Sequence, residues 1–341
     1  MTETVAIRRG PTSPVLEHAR RSRLAYLDGW RGLSITLVLI GHFFPVPGIN
    51  LGLLGVEFFF VLSGRLMAEI LFIERYPLKK FFKRRFSRIY PALLVYVLVT
   101  MVALSGSFIA FKWKAALTAL TFTYNYAAIP FTRAGALDHI WSLCVEEHSY
   151  VTLAVISLIV AARRQWLVPL LGGLAVLAMV NGAISYSVLG LGFEASYWRT
   201  DTHIASILLS ALVCWLKTDE RWRRYLQPDY VAPLATAAGA LMFVDWVPLP
   251  LHYMIGTLLL AIGVNAVDFG ARPFAQALSW RPVTQIGLWS YSLYLWQETF
   301  YKFVYFDKSP APPMLAATFA CALASYYVVE KPSREWLNRN W

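Results

Sequence analysis

The chain has 341 residues, 57% of them hydrophobic and 15% charged, with a formal net charge of +11 and a mean hydropathy of +0.50. A soluble domain carries about a quarter charged residues, so this composition excludes one and marks a polytopic membrane protein. The basic excess reads as cytoplasmic loops rather than a nucleic-acid surface, and Cys144, Cys214 and Cys321 sit in apolar runs with neither a disulfide framework nor a metal-ligand spacing.

In chain order, residues 1–27 are polar and basic, with no small-residue cleavage site after a short apolar core. They are expected to be retained as a cytoplasmic segment. Apolar segments follow at 28–45, 52–72, 88–107, 141–161, 166–190, 202–216, 230–246, 250–268, 284–304 and 313–330. Segment 111–129 is an eleventh candidate, but it holds Lys112, Lys114 and Asn125. With the N-terminus inside and 111–129 left out, 22 of the 31 Lys and Arg residues fall in inner loops and 5 in outer ones. Counting 111–129 as a span would move Arg163, Arg164 and the basic 217–224 loop outside. The expectation is therefore an all-α polytopic membrane protein with about ten transmembrane helices and both termini cytoplasmic. The membrane domain covers 28–332, a short tail covers 333–341, and 111–129 is an outer re-entrant or interfacial helix.

The first span contains RGLSITLVLIGH, with a cation and an imidazole bracketing ten uncharged residues. Eleven helical steps come to about 1100°, within roughly 20° of three turns, so Arg31 and His42 share one face about 16 Å apart. Arg31 then lies near the inner surface and His42 toward the outer one. The fourth span opens with WSLCVEEHSY and the sixth with TDTH, also at their outer ends. His42, Glu146, Glu147, Asp201 and His203 are expected to share one layer. Intramembrane ionisable groups usually face a cavity and mark function. Plainer readings stand beside this one. His42 can be a hydrogen-bonded helix linker, Asp201 a helix N-cap, and His203 a headgroup residue. Only one of two adjacent glutamates need face a site.

The second inner loop, YPLKKFFKRRFSRIYP, carries Lys83, Arg84, Arg85 and Arg88. Topology and anionic lipid would account for such a loop; a phosphate site would too, since arginine forks match phosphate oxygens. Arg31 lies on the same side. A donor with a phosphate head in the cytoplasm and a long thin arm would fit this outline, and acyl-coenzyme A has that shape.

Seven stretches now stand together: YLDGWRGLSITLVLIGH (26–42), GVEFFFVLSG (55–64), KRRFSRIYP (83–91), HIWSLCVEE (139–147), TDTHIASILLSALV (200–213), WSYSLYLWQ (289–297) and VVEKP (328–332). In this order the chain resembles the membrane acyltransferase-3 family over nearly its whole length. The resemblance implies an O-acyltransferase of the bacterial inner membrane. It implies transfer of an acyl group, commonly acetyl, from acetyl-CoA to a hydroxyl of a cell-surface carbohydrate such as an exopolysaccharide or O-antigen. By motif match, Arg31 and His42 take the family's essential pair and Glu146 or Glu147 its fourth-span acid. There are two departures. Arg65 follows Gly64, where an apolar residue is usual; Glu69 or Glu57 is its expected partner. The late motif ends in Gln297, where a histidine is common, which removes a second possible base. The family's fused extracytoplasmic hydrolase-like domain is not expected here, so either acylation is direct or a separate partner finishes it.

His42 is expected to act as general base, oriented by Glu146 or Glu147, with an acyl-histidine as the competing route. Trp141, Ser142, Tyr291 and Tyr294 are expected to line the site or donate to the oxyanion, and Asp201 and His203 to contact the acceptor. No metal is expected. The rival from another class is a proton-coupled transporter or flippase, with Glu57, Asp268 and Glu298 as its relay; paired helix breaks in two halves would support it, and none is seen. A fold of the other membrane O-acyltransferase superfamily is the second rival, and the ordered motifs oppose it.

Overall fold

The computed structural model describes residues 14–128 and 135–341, with side chains from residue 25 onward. The first thirteen residues of the N-terminal segment, and 129–134 in the long outer loop, lie outside the described residues. All ten apolar segments are helical. Helix α1 runs Pro14–Phe43, α2 Leu51–Ala68, α3 Leu78–Ala103, and two short helices follow, α4 Trp113–Leu120 and α5 Tyr124–Ala127. Next come α6 Ile140–Ile159, α7 Leu167–Ser187, the short α8 Phe193–Tyr197 and α9 Thr200–His203, and α10 Ala205–Leu216. The chain continues through α11 Glu220–Leu226, α12 Val231–Leu241, the brief α13 Leu249–Leu251, α14 Thr257–Ala266 and α15 Arg272–Leu278. It closes with α16 Arg281–Phe306, α17 Ala311–Ser325 and α18 Lys331–Asn340. Among the described residues the only β-pairing is an isolated bridge between Ile49 and Val244.

Five stretches are long and apolar enough to cross a membrane: Leu78–Ala103, Gly135–Ile159, Arg164–Ser187, Leu249–Ala266 and Ala311–Asn340. Thr200–Leu216 and Val231–Leu241 are shorter apolar helices. The long α1 and α16 interrupt their apolar faces with the polar residues that build the site. Segment 111–129 breaks into α4 and α5, and at about 1.5 Å per residue neither reaches across a bilayer core.

Helix α1 packs most extensively against α16 and α2. Backbones approach closely there. A Cβ on Gly32 would stand 2.1 Å from the Val283 carbonyl oxygen of α16, and one on Gly41 would stand 2.4 Å from the backbone nitrogen of Gly52 in α2. Small residues allow this approach, which membrane helices use for van der Waals contact in place of a hydrophobic drive.

Two charge clusters staple the bundle. Arg65 is 0% exposed. It pairs with Asp268 at 2.6 Å, and Lys217 meets the same carboxylate at 2.8 Å. Glu69 stands 3.7 Å from both cations and Tyr26 completes the set. Of the two partners expected for Arg65, Glu69 is therefore a secondary one; Glu57 belongs to the second cluster, 2.8 Å from His203 Nε2 with Thr257 on its other oxygen.

Asp268 is itself exposed, but it balances Lys217 and the fully buried Arg65. Asp268→Asn is expected to lower stability by about 3–5 kcal/mol, as does breaking other buried pairs, read as a fall in melting temperature of the detergent-solubilised protein.

Candidate functional site

Helices α1, α6 and α16 carry the column of the site, α3 adds Arg85 and Arg88 and α2 adds Ser63, and helical rise orders the parts. On α16, Tyr294 follows Tyr291 by three residues, and Gln297 and Glu298 follow Tyr294 by three and four, so they descend one face in steps of about 5 Å. On α6 the same holds for Ser142 and Glu146, with His139 at the N-cap one turn earlier. On α1, Arg31 stands at one end of this face and His42 in the last turn.

The inner part is a cavity of about 200 Å³. Arg31, Arg85 and Arg88 stand at its cationic end; Ser63, Ser142, Glu146, Tyr291 and Tyr294 are further polar residues of its wall. The rest of its lining is mainly apolar, including Phe59, Phe60 and Leu143. A second cavity shares Arg85 and Arg88 and adds Arg84. Arg85 bridges both fourth-span acids, at 2.8 Å to Glu146 and 3.0 Å to Glu147, and its guanidinium lies 3.9 Å from the Tyr150 ring centroid. Glu146 also accepts from Ser63 at 2.5 Å and from the Tyr150 hydroxyl. Arg31 is held by Asp28 at 2.6 Å. Lys83 takes no part in either cavity; it turns to the Trp341 ring and backbone oxygen.

The outer part centres on His42. Its Nδ1 lies 2.6 Å from Gln297 Oε1. The Gln297 amide nitrogen is held by Glu298 Oε2 at 3.2 Å, so the amide can present only its oxygen to the ring, and Nδ1 carries the hydrogen. In the neutral ring Nε2 is then the nitrogen without a hydrogen; it has no hydrogen-bond partner among the described residues, and a Cβ on Gly52 would stand 3.4 Å from it and from Cδ2. Glu298 lies 3.9 Å from Nδ1 and is tied to Lys302, which reaches Asp138; both of those distances are 3.2 Å. The Tyr301 ring stacks on the imidazole at 4.2 Å.

Between the two parts stands a small wall. The Tyr294 hydroxyl donates to the His139 carbonyl oxygen at 2.9 Å, Ser142 Oγ donates to the same oxygen at 3.2 Å, and the two hydroxyls lie 2.6 Å apart.

These positions revise several expectations. Glu146 and Glu147 do not share a layer with His42 and do not orient it. Glu146 lies seven residues, about 10 Å, beyond the N-cap level, and Arg85 reaches it because the supposed inner loop 76–91 is helical from Leu78 and carries its arginines into the bundle. Gln297 is the ring's orienting partner rather than a lost base. His203 is buried on Glu57, and Trp141 packs on Phe60, Tyr197, Trp198 and His203; neither lines the cavity. Asp201 is exposed and paired with Arg199 and Asn181. Glu57, Asp268 and Glu298 each have their own basic partner, so among the described residues they form no carboxylate relay. Lys302 and Asp138 escaped notice, although a lysine four residues after a glutamate in an apolar helix is a readable signal. Ser63 and Tyr150 gave none.

The helical bundle thus sets an arginine-ended cavity near a histidine whose Nε2 has no hydrogen-bond partner among the described residues. The chain belongs to the acyltransferase-3 family, whose acyltransferase domain matches residues 24–329. It is 26% identical over 351 residues to the O-acetyltransferase OatA of Staphylococcus aureus strain NCTC 8325, and equally so to OatA of strain COL. Both alignments cover 91% of this chain but 57% of the relative. The chain thus spans little more than half the length of these curated relatives. No solved structure matches it.

The His42 side chain is 26% exposed, against residue exposures of 4% for His139 and 1% for His203. Diethyl pyrocarbonate is expected to modify His42 before either of the other two, as read by peptide mass spectrometry of the detergent-solubilised protein.

Proposed function

We propose that the chain is an O-acetyltransferase that takes an acetyl group from acetyl-CoA on the cytoplasmic side and transfers it to a hydroxyl of a cell-surface carbohydrate. The proposal includes ten membrane crossings with both ends inside, and a bacterial inner membrane as the setting. One observation carries it: a narrow cavity has three arginines at one end and, past a wall of two hydroxyls, a histidine with a free Nε2. The OatA relatives bear the name O-acetyltransferase, which supports acetyl as the group moved.

The arginines suit the phosphates of the donor, since their forks bind phosphate oxygens in pairs. A cavity of about 200 Å³ suits a thin arm with the bulkier head left at the mouth, where Arg84 stands. Glu146 and Glu147 keep Arg85 extended toward the arm's path. His42 Nε2 then removes the proton from the acceptor hydroxyl as its oxygen attacks the thioester carbonyl carbon. Carbon–oxygen bond formation is followed by cleavage of the carbon–sulfur bond. The departing thiolate receives the proton from the imidazolium, so His42 returns to its starting form. Glu298 stabilises the transient imidazolium, and Gln297 keeps Nδ1 as the protonated nitrogen. A separate extracytoplasmic partner remains part of the proposal only where the acceptor is handed on.

The test is transfer from radiolabelled acetyl-CoA by purified protein in liposomes, against a panel of polysaccharide acceptors. His42→Ala is expected to lower transfer by about 10²–10⁴-fold, the span of a general base; wild-type activity in that variant would overturn the mechanism. Gln297→Leu frees the ring to take either tautomer. It is expected to lower kcat by at least about tenfold, by analogy with loss of the orienting group in a serine triad, while acetyl-CoA binding measured by calorimetry stays unchanged.

A further inference from the structure

The HIWSLCVEE motif contains one buried ionisable side chain to which the proposed mechanism gives no work. His139 is 4% exposed. Neither of its ring nitrogens has a hydrogen-bond partner among the described residues. Other buried polar atoms share that state, including the indole nitrogens of Trp289 and Trp296 and the Tyr253 hydroxyl. Each of those is a single atom on an otherwise apolar ring, whereas His139 leaves both of its polar atoms unpaired. Burying such a group is costly, and an unpaired one in a folded protein calls for an explanation.

Its place in the fold supplies one. The His139 carbonyl holds the Tyr294 and Ser142 hydroxyls that stand in the wall between the cavity and His42. Its ring stands edge-on to Tyr294 and Tyr96, with centroids 5.2 and 5.6 Å apart. His42, Glu298 and Lys302 are within electrostatic reach of the same ring. His139 therefore stands beside two residues of the cavity wall, Ser142 and Tyr294, and within reach of the groups around His42.

We infer that His139 is a catalytic hydrogen-bond donor whose ring N–H engages the carbonyl oxygen of the donor thioester. The inference rests on the acyl-transfer reading above and extends it. As the acceptor oxygen adds to the carbonyl carbon and its proton passes to His42, the carbonyl electron pair moves onto oxygen. The N–H of His139 holds that oxyanion. The pair returns as the carbon–sulfur bond breaks, the thiolate leaves with the proton from His42, and His139 neither gains nor loses a proton. Two phenol rings around the imidazole keep water from competing for the N–H.

Two variants and two readouts test this with acetyl-CoA and a polysaccharide acceptor in liposomes. His139→Phe fills the volume without a donor; His139→Gln keeps an N–H. His139→Phe is expected to lower kcat by about 10²–10³-fold, the loss seen when one oxyanion donor is removed. The half-saturating acetyl-CoA concentration should change little, and the melting temperature should stay level or rise, because an unpaired polar group has been replaced by an apolar one. His139→Gln should retain at least about tenfold more activity than His139→Phe. Wild-type kcat in His139→Phe would overturn the inference. So would equal losses in both variants that follow a fall in melting temperature, which is the signature of a structural role. His42→Ala, run alongside, separates the two levels. An inactive His42→Ala with a fully active His139→Phe defeats this inference alone, and a fully active His42→Ala defeats the mechanism beneath it.

Discussion

The close approach of α1 to two neighbours at once is the constraint on which the site depends. A Cβ on Gly287 of α16 would stand 1.9 Å from the Asp28 carbonyl oxygen of α1, and one on Gly55 of α2 would stand 2.5 Å from the Ser34 carbonyl oxygen. Those positions lie along nearly the whole contact, not at one crossing. With α1 held this tightly, its last turn cannot rotate away from α16, and His42 faces Gln297 because the backbones leave it no other course. The same contact keeps Arg31 over the cavity. One helix thus places both an arginine of the cationic end and the base, and four glycine-lined contacts set the helix.

Everything else is arranged by helical rise. Helices α1, α3, α6 and α16 bring polar groups to a common interior, so each level of the site has a contribution from more than one helix. The innermost level joins Arg85 to Glu146 and Glu147, the middle one joins Ser142 to Tyr294, and the outermost joins His42 to Gln297 and Glu298. The pairs elsewhere, Arg65 with Asp268 and Glu57 with His203, stand outside this column. They tie α2 to the residues just after α14 and to α9, which is a use of charge as geometry rather than chemistry.

Much of this was legible in the residues. Helicity and the apolar segments followed from composition and spacing, because an apolar run of this length favours the helix in lipid; the motif order rested on the resemblance to the family. Arg31 and His42 on one face also followed, since both belong to a single helix. The partners of each polar group were harder to read, because they come from helices distant in sequence. Glu146 was placed beside His42 by depth alone, but depth says nothing of which neighbour an arginine side chain can reach. Arg85 is long and starts from a helix, not a loop, so it reaches Glu146 two turns into α6. Gln297 looked like the loss of a base when read against a motif. Beside Glu298 its amide becomes the group that decides which imidazole nitrogen is free. His139 had no signal of its own, because an absent partner cannot be read from spacing.

The wall between cavity and base has a further consequence. It closes with neutral hydrogen bonds from Tyr294 and Ser142 to a single carbonyl. Each such bond is worth about 1 kcal/mol net, so a slender uncharged arm can part them at small cost. A hydrated ion at the same place must first shed its water, which costs several kcal/mol in a poorly polarisable interior. On the acyl-transfer reading proposed above, the partition parts for a slender acyl arm and resists a hydrated salt ion.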